Sequence, residues 1–167
     1  MTGQVVVRRL GRPGDLGWVV MAHGELYAAE FGWDGDFEAL VARIVADYAG
    51  DHDPAREAAW IAELAGHRVG CVFCVAADDR TAQLRILLVH PEARGRRLGT
   101  RLTDECIAFA RAVGYERVRL WTNHPLAAAR HVYRAAGFTL LAEERHTSFG
   151  ADLVGEVYEL DLAAAAC

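Results

Sequence analysis

The chain has 167 residues, a hydrophobic fraction of 53% and a formal net charge of −5. Such a length predicts one globular domain that can bury a sizeable core, and the acidic balance argues against nucleic acid as the main partner. The sequence contains no secretory signal and no apolar run near the roughly 18 residues that a membrane-spanning helix needs. We therefore expect a cytoplasmic protein that binds neither nucleic acid nor a membrane.

Hydrophobic periodicity predicts a single domain over residues 1–162, followed by a frayed tail at 163–167. Strands are expected at 4–10, 59–64, 68–76, 82–89, 117–121, 138–143 and 154–160, and helices at 15–30, 37–48, 98–112 and 125–136. The polar segment 144–153 is expected to be a loop. Consecutive hairpin strands followed by two strand–helix units predict an α/β (α+β) fold, with a mixed, mostly antiparallel sheet of about seven strands and helices on both faces.

Cys71 and Cys74 have the spacing of half a zinc site, but they lie in a segment that is typical of a strand. Residues three apart in a strand face opposite sides of the sheet, and no second cysteine or histidine pair accompanies them. We therefore expect core cysteines and no bound metal.

A basic loop joins the strand at 82–89 to the helix at 98–112. The apolar run 84–89 ends at His90-Pro91, and Gly95 and Gly99 allow a ligand to approach the backbone closely. The basic side chains of this segment are Arg94, Arg96, Arg97 and Arg101. Because the first N–H groups of a helix attract anions and guanidinium groups suit phosphate oxygens, the segment predicts a site for a diphosphate-bearing ligand.

The loop resembles the acetyl-CoA loop of the GNAT acyltransferases, which reads Arg/Gln-x-x-Gly-x-Gly/Ala after a strand that ends in Val-x-Pro. The segment from Val89 to Pro91 matches the strand end, and Arg94 and Gly99 match the outer positions of the loop. Arg97 replaces the central glycine. This replacement is compatible with the motif if the φ angle of Arg97 is negative, or if its side chain turns outward toward phosphate.

A second segment, from Ala129 to Phe138, resembles the family pattern A-x-x-L/V-Y-x-x-x-G-F, with Val132 and Tyr133 at its centre. The two segments occur in the order of the family, and the predicted order of elements over nearly the whole chain is that of the GNAT fold. Residues 121–160 look closest to the GNAT domains that some bacteria fuse behind a MarR-type DNA-binding domain.

The resemblance implies acetyl-CoA as co-substrate. The implied contacts are Leu87, Leu88, Val89, Arg94, Gly95, Arg96, Arg97, Leu98, Gly99, Thr100, Asn123 and Arg130. In this family a bulge or splay of the central strand offers main-chain N–H groups to the oxyanion, which implicates Leu87 to Val89. Asn123 either contacts the pantetheine arm, since Leu126 stands at the usual asparagine position, or caps the next helix. Arg130 either reaches a phosphate or is solvated.

Tyr133 stands at the family tyrosine position, which implies a general acid for the departing thiolate; the alternative is a ring that only packs in the core. An alkyl amine of pKa about 10.4 must lose a proton before it attacks, so a base or a water path is needed. The candidate bases are Glu25, Glu30, Asp34, Glu63, His146 and Asp152. We take Glu30 as the provisional base.

The junction after the first helix mixes aromatic side chains, carboxylates and glycines, which is unusual for a plain surface. In the GNAT fold this junction covers the acceptor side of the cleft, and the segment 146–152 is expected to form the opposite wall. The implied substrate contacts are Glu25, Tyr27, Trp33, His146 and Asp152. Carboxylates on both walls would suit a cationic substrate.

These features together predict an N-acetyltransferase that moves the acetyl group from CoA to a primary amine of a small molecule, amino acid or peptide. The amine is expected to attack directly in a ternary complex. The alternative is a module of the same fold that senses acyl-CoA without turnover. We also allow for a homodimer, because the last strand is expected to be an exposed sheet edge.

Overall fold

A computed structural model describes residues 3–163. Its strands are β1 (Val5–Arg9), β2 (Ala58–Leu64), β3 (His67–Ala76), β4 (Thr81–Val89), β5 (Arg117–Asn123), β6 (Thr139–Ser148) and β7 (Ala151–Asp161). Its helices are α1 (Asp15–Phe31), α2 (Gly35–Asp51), α3 (Leu98–Ala112) and α4 (Ala127–Ala135), with a short 3-10 turn at Pro91–Ala93. Apart from Ala163, the predicted frayed tail lies outside the described residues.

The strands form one seven-stranded sheet in the order β1-β2-β3-β4-β5-β7-β6. All neighbouring strands are antiparallel except β4 and β5, which are parallel. One buried cluster joins α1 and α2 to one face of the sheet, and a second joins α3 and α4 to the other. The predicted mixed sheet with helices on both faces is confirmed. Among residues 3–163, no helix is long and apolar enough to cross a membrane.

The two cysteines of the C-x-x-C spacing lie in different cores. Cys71 packs in the cluster under α1 and α2, and Cys74 packs in the cluster under α3. Both are fully buried free thiols, which confirms the expectation of core cysteines. The described residues contain no group of side chains arranged to hold a metal ion.

Helix α2 shows how a local pattern positions a wall of the later site. Asp34 is the N-cap residue, and its carboxylate accepts a hydrogen bond from the backbone N–H of Asp36 at 3.0 Å. A capping carboxylate satisfies an otherwise unpaired N–H group and favours the positive end of the helix dipole. The apolar side chains of α2 then face the sheet, and the buried ones are Phe37, Val41, Ile44 and Val45.

Helix α1 begins after a glycine, although the sequence also offers Asp15 as a possible N-cap residue. Gly14 is the N-cap residue, and Asp15 is the first helical residue and is fully buried. The carboxylate of Asp15 accepts hydrogen bonds from Arg8, Arg68 and two backbone N–H groups. Burial alone would raise the pKa of Asp15, but Arg8 and the other donors hold it well below its ordinary value. This charge cluster attaches the start of α1 to β1 and β3.

The prediction of a loop over 144–153 is wrong. β6 extends to Ser148 and β7 begins at Ala151, so the turn Phe149-Gly150 closes a long hairpin. β6 lies at the sheet edge and is exposed along most of its length, so its sequence lacks the alternation that marks a half-buried strand.

The last strand is also not the free edge that we expected. β7 lies between β5 and β6, and both of its sides are hydrogen-bonded. The free edges of the sheet are β1 and β6. Pairing with a second copy stays a prediction.

Candidate functional site

The central strands β4 and β5 separate halfway along their length. Their parallel pairing runs from Thr81 and Arg117 to Leu84 and Leu120, and beyond Leu84 no described residue of β4 pairs with β5. Strands that diverge leave main-chain N–H and C=O groups without sheet partners. The sheet therefore opens at its centre, toward the C-terminal ends of both strands.

A β-bulge lies on β4 at this opening. Ile86 and Leu87 together oppose the single residue Val72 of β3, and Ile86 has a positive φ angle of 44°. A β-branched residue rarely adopts this backbone, which costs on the order of 1–3 kcal/mol, so the surrounding packing must hold it in place. The bulge distorts the strand just before the segment 87–89, whose main chain was expected to face the thioester.

The first pocket is a cavity of about 540 Å³ between the end of β4 and helices α1, α3 and α4. The first helical hydrogen bond of α3 runs from the N–H of Arg101 to the carbonyl of Arg97, so the N–H groups of residues 98–100 precede the helical pattern. Such groups, with the helix dipole behind them, bind anions. The predicted cofactor contacts that line this pocket are Leu87, Leu88, Val89, Arg94, Gly95, Arg97, Leu98, Gly99 and Thr100.

Arg97 adopts the conformation that a glycine would adopt at the central position of the loop. It is the N-cap residue of α3, with φ 58° and ψ 26°. The φ angle of Arg97 is therefore positive, which excludes the first of the two arrangements that are compatible with the motif. A left-handed non-glycine residue costs about 1–2 kcal/mol. The exposed Arg97 side chain nevertheless puts a cation in the lining of the first pocket.

The other basic side chains of the loop have different surroundings. Arg94 lines the first pocket and pairs with Glu30 of α1. Arg96 donates to the carbonyl of Gly3 at 3.2 Å, and Arg101 donates to the carbonyl of Val5 at 3.0 Å. The guanidinium groups of Arg96 and Arg101 therefore contact the N-terminal part of the chain, and neither residue is in the pocket lining.

The second pocket, a cavity of about 320 Å³, adjoins the first beneath α1 and α2. Glu30, the provisional base, belongs to the lining of the first pocket only and is neutralised by Arg94. This position argues against the role that we predicted for it. The residues common to both linings are Tyr27, Leu87, Leu126 and Ala129, so the two cavities meet at the bulge.

Tyr133 lies in the lining of the second pocket at the separation of β4 and β5. The residue is 5% exposed, and its ring contacts Phe138 edge-on with the centroids 5.9 Å apart. Its hydroxyl makes no hydrogen bond with any residue in the described range. Burial, with smaller effects of Tyr27 and Cys106, raises the pKa of Tyr133 well above its ordinary value. The phenol is therefore protonated at neutral pH and has a free donor.

Asn123 of β5 lines the second pocket and is held by a residue of β6, two strands away in the sheet. Its side-chain oxygen lies 2.8 Å from Nε2 of His146, whose Nδ1 lies 2.9 Å from the hydroxyl of Ser148. The His146 ring is also 5.4 Å from Trp121, another residue of the pocket wall. His146 therefore positions two wall residues and is not itself in the lining. Asn123 does not cap α4, since the N-cap residue is Leu126.

Arg130 makes a structural ion pair instead of pointing at a phosphate or at solvent. Its Nε lies 2.9 Å from Oε1 of Glu156, which is fully buried on β7. The hydroxyl of Tyr158 donates to the other carboxylate oxygen of Glu156 at 2.5 Å. This pair attaches α4, the helix that carries Tyr133, to the sheet.

The remaining predicted acceptor contacts fall into two groups. Tyr27 and Trp33 line the second pocket. Glu25 is exposed, and Asp152 is exposed and accepts a hydrogen bond from the hydroxyl of Thr147 at 2.8 Å. Within the described residues no carboxylate lines the second pocket, which differs from the acidic walls that we expected.

The turn of the β6–β7 hairpin supports the aromatic wall of the second pocket. The ring centroid of Phe149 lies 5.0 Å from that of Trp33 and 5.1 Å from that of Phe37. The carbonyl of Phe149 also accepts a hydrogen bond from the N–H of Asp34 at 3.1 Å. The hairpin therefore holds the junction of α1 and α2 in place.

His23 and Arg85 are among the polar residues of the second pocket that had no assigned role in the sequence analysis. His23 is 1% exposed, its Nδ1 lies 2.7 Å from the carbonyl of Val19, and its buried Nε2 has no hydrogen-bond partner among residues 3–163. Burial lowers the pKa of His23 to about 4. Arg85 lies on β4 beside the bulge. A charged residue within a mostly apolar strand was the signal that could have identified it.

The model of the Acetyltransferase (GNAT) family matches residues 21–138, more than half of the chain. The chain belongs to the GNAT acetyltransferase family. It is 40% identical over 85 residues to mycothiol acetyltransferase of Beutenbergia cavernae, a match that covers 51% of this chain and 28% of that protein. The match therefore spans less than a third of the length of that curated relative.

Solved structures show the same GNAT fold. The chain resembles yncA of Salmonella typhimurium, whose structure contains acetyl-CoA, with a TM-score of 0.72, 21% identity and coverage of 98% and 96% of the two chains. It also resembles spermidine N-acetyltransferase of Vibrio cholerae, solved with CoA and spermine, with a TM-score of 0.72, 16% identity and 96% coverage of both chains. The predicted fold is confirmed. The closer likeness to GNAT domains behind MarR-type domains stays a prediction.

The first pocket of this GNAT protein fits acetyl-CoA. The N–H groups that precede the helical pattern of α3, with Arg97 beside them, suit a pyrophosphate. A side chain at Gly99 would lie 3.3 Å from Val132 of α4, so glycine at this position keeps the cleft between α3 and α4 open. The apolar residues of β4 and α4 in the lining suit the pantetheine arm.

Proposed function

We propose that this GNAT protein transfers the acetyl group of acetyl-CoA to a primary amine by direct attack in a ternary complex. The observation that carries the proposal is the meeting of two cavities, of about 540 Å³ and 320 Å³, at the bulge of β4. Acetyl-CoA supplies an activated thioester. The protein holds the two reactants on either side of one distorted strand, which replaces a bimolecular encounter by a positioned one.

The main chain of residues 87–89 is the proposed oxyanion site. These residues line the first pocket, follow the bulge and lie beyond the last pair that β4 makes with β5. Preorganised N–H donors at a developing oxyanion are worth about 10²–10³ in kcat each. The strained Ile86 is the local distortion that places this segment.

Tyr133 is the proposed general acid. A phenol that stays protonated, has no hydrogen-bond partner among the described residues and lies in the wall where the strands separate can donate to the thiolate as it leaves. The ion pair of Arg130 with Glu156 supports this role because it fixes the helix that carries Tyr133.

His23 is the proposed contact for the amine, in place of Glu30. Because Nδ1 of His23 faces the carbonyl of Val19, Nδ1 carries the proton and Nε2 keeps its lone pair. A pKa of about 4 keeps the ring neutral at pH 7. Nε2 therefore accepts an N–H hydrogen bond from the amine and orients the nitrogen lone pair toward the thioester.

The first test is thermal unfolding with and without acetyl-CoA, with CoA and ATP as controls. A ligand at 100 times its dissociation constant stabilises the folded protein by roughly 2.7 kcal/mol, which raises the midpoint. We expect a rise with acetyl-CoA and CoA and little change with ATP. Release of the CoA thiol in the presence of a panel of primary amines then measures turnover.

The alternative, an acyl-CoA-sensing module, predicts the same midpoint shift but no amine-dependent thiol release from any acceptor. No shift with either CoA species would overturn both readings. A cytoplasmic location and the lack of nucleic-acid and membrane partners stay predictions.

A further inference from the structure

Arg85 is a cation in the wall of the second pocket that has no hydrogen-bond or ion-pair partner among the described residues. It is partly buried and lies next to the bulge of β4. Its guanidinium forms no hydrogen bond and no ion pair with any described residue, and none of the residues in the pocket lining is acidic. Burial lowers the pKa of Arg85, and the attraction of Asp47 on α2 offsets part of that effect. The side chain remains charged, because arginine keeps its proton in proteins.

A partly desolvated guanidinium is unfavourable unless an anion pairs with it. Its planar set of N–H donors matches a carboxylate in a two-point hydrogen bond. The same charge repels a polyamine or another polycation, because the pocket offers no carboxylate to receive a second ammonium group. The pocket therefore favours an acceptor molecule that carries an anion as well as an amine.

The rest of the lining narrows the class of acceptor. Trp33, Phe37 and Trp121 form much of the wall, and large aromatic faces suit an apolar side chain. Nε2 of His23 is a buried acceptor without a partner in the described range, which suits an amine N–H. One cavity thus contains a site for an anion, a site for an amine and an apolar surface.

Resting on the proposed function, we infer that the second pocket takes a free α-amino acid with an apolar side chain, whose carboxylate pairs with Arg85 while its amine faces the bulge of β4. Arg85 then determines specificity: it binds the part of the acceptor that does not react. The uncharged form of the α-amine attacks the thioester carbon, an N–C bond forms and the C–S bond breaks. The nitrogen loses one proton as the amide forms, and the CoA thiolate gains one proton.

The test compares each amino acid with the amine that remains when its carboxylate is removed: phenylalanine with phenethylamine, and leucine with 3-methylbutylamine. Thiol release is measured for the wild type, Arg85→Gln, Arg85→Lys and the control Arg43→Gln, which changes the net charge equally at an exposed position of α2. We expect the wild type to prefer each amino acid by about 10- to 100-fold in kcat/KM, as for loss of a charge-assisted pair.

Arg85→Gln is expected to remove that preference through a higher KM for the amino acid, with the decarboxylated amine changed less than about twofold. Arg85→Lys should keep part of the preference and Arg43→Gln all of it. A wild type that favours the decarboxylated amines, or an Arg85→Gln enzyme that keeps the preference, would overturn the inference.

A binding measurement covers the case in which no acceptor turns over. Calorimetric titration of N-acetylphenylalanine into the protein with CoA present should show binding by the wild type and a loss of about 10-fold or more in Arg85→Gln. No binding by the wild type would overturn the inference. Failure of the proposed function has a different signature, namely no midpoint shift and no thiol release with acetyl-CoA, while carboxylate binding still depends on Arg85.

Discussion

The two pockets meet at one bulge but are built in different ways. The first takes most of its polar groups from one continuous stretch, the end of β4, the basic loop and the start of α3. The second collects side chains from α1, α2, β4, β5 and α4. Its polar members include Nε2 of His23, which has no hydrogen-bond partner among residues 3–163, and Arg85, which forms no ion pair within that range. A ligand recognised by main-chain N–H groups needs only a local loop, whereas a ligand recognised by separate side chains needs the whole fold.

The largest expected effect tests whether Tyr133, a residue of the second pocket, acts in the chemical step. Tyr133→Phe keeps the ring that packs on Phe138 and removes only the hydroxyl. We expect kcat to fall by about 10²–10⁴, since general acid catalysis typically contributes this much, while the KM for acetyl-CoA is unchanged. Initial rates of thiol release measure both values.

The midpoint shift of Tyr133→Phe with acetyl-CoA provides the control, because it should equal that of the wild type. A variant with the wild-type kcat would show that Tyr133 is only a core residue. The assignment of the general acid to the wall of the second pocket would then be wrong.

The next effect concerns stability and the buried His23. Its pKa is about 4 in the folded protein and about 6.5 in the unfolded chain, so the unfolded state binds the proton first as the pH falls. The stability present above pH 6.5 should therefore decrease between pH 6.5 and 4, by roughly 3 kcal/mol in total. Urea unfolding at a series of pH values measures this loss.

In the variant His23→Gln, residue 23 has no group that titrates in this range, so the variant should lose the part of the pH dependence that His23 contributes. Asp15 does not interfere, because its pKa is lowered in the folded state and its contribution is lost only as the pH falls below its ordinary value of 3.8. An equal decrease in the variant would show that His23 is not the neutral, buried group described above.

The smallest effect tests the first pocket. Arg97→Gly relieves a left-handed side chain at φ 58° and should stabilise the protein by about 0.5–1 kcal/mol after the added freedom of the unfolded chain is subtracted. It should also weaken acetyl-CoA binding several-fold, because it removes a cation from the pocket. Thermal unfolding and titration with acetyl-CoA measure the two changes.

Arg97→Lys is the matched control, since it keeps both the charge and the strained backbone. It should leave stability unchanged and keep most of the affinity. If Arg97→Gly binds acetyl-CoA as well as the wild type, the Arg97 side chain does not contact the phosphates, and the main chain alone accounts for anion binding.

The sequence predictions that were correct concern local features, like those that build the first pocket. The incorrect ones concern contacts between distant elements, like those that build the second pocket. The helices, six of the seven strands and the basic loop follow from periodicity, capping and glycine placement, which act over a few residues. The extent of β6 did not follow, because an exposed edge strand is held by backbone pairing to β7 and has no apolar face to reveal it. Arg130 was expected near phosphate or solvent, but a buried Glu156 on a distant strand pairs with it.

By itself, the sequence determined the order of the elements, the mixed sheet and the loop at the start of α3, since each of these depends on neighbours along the chain. Only the tertiary structure decided that β4 bulges at Ile86, that Glu30 pairs with Arg94, and that His23 and Arg85 share one cavity. The physical reason is that a pocket of side chains forms only when separate elements pack, and burial then decides which polar groups are left without partners.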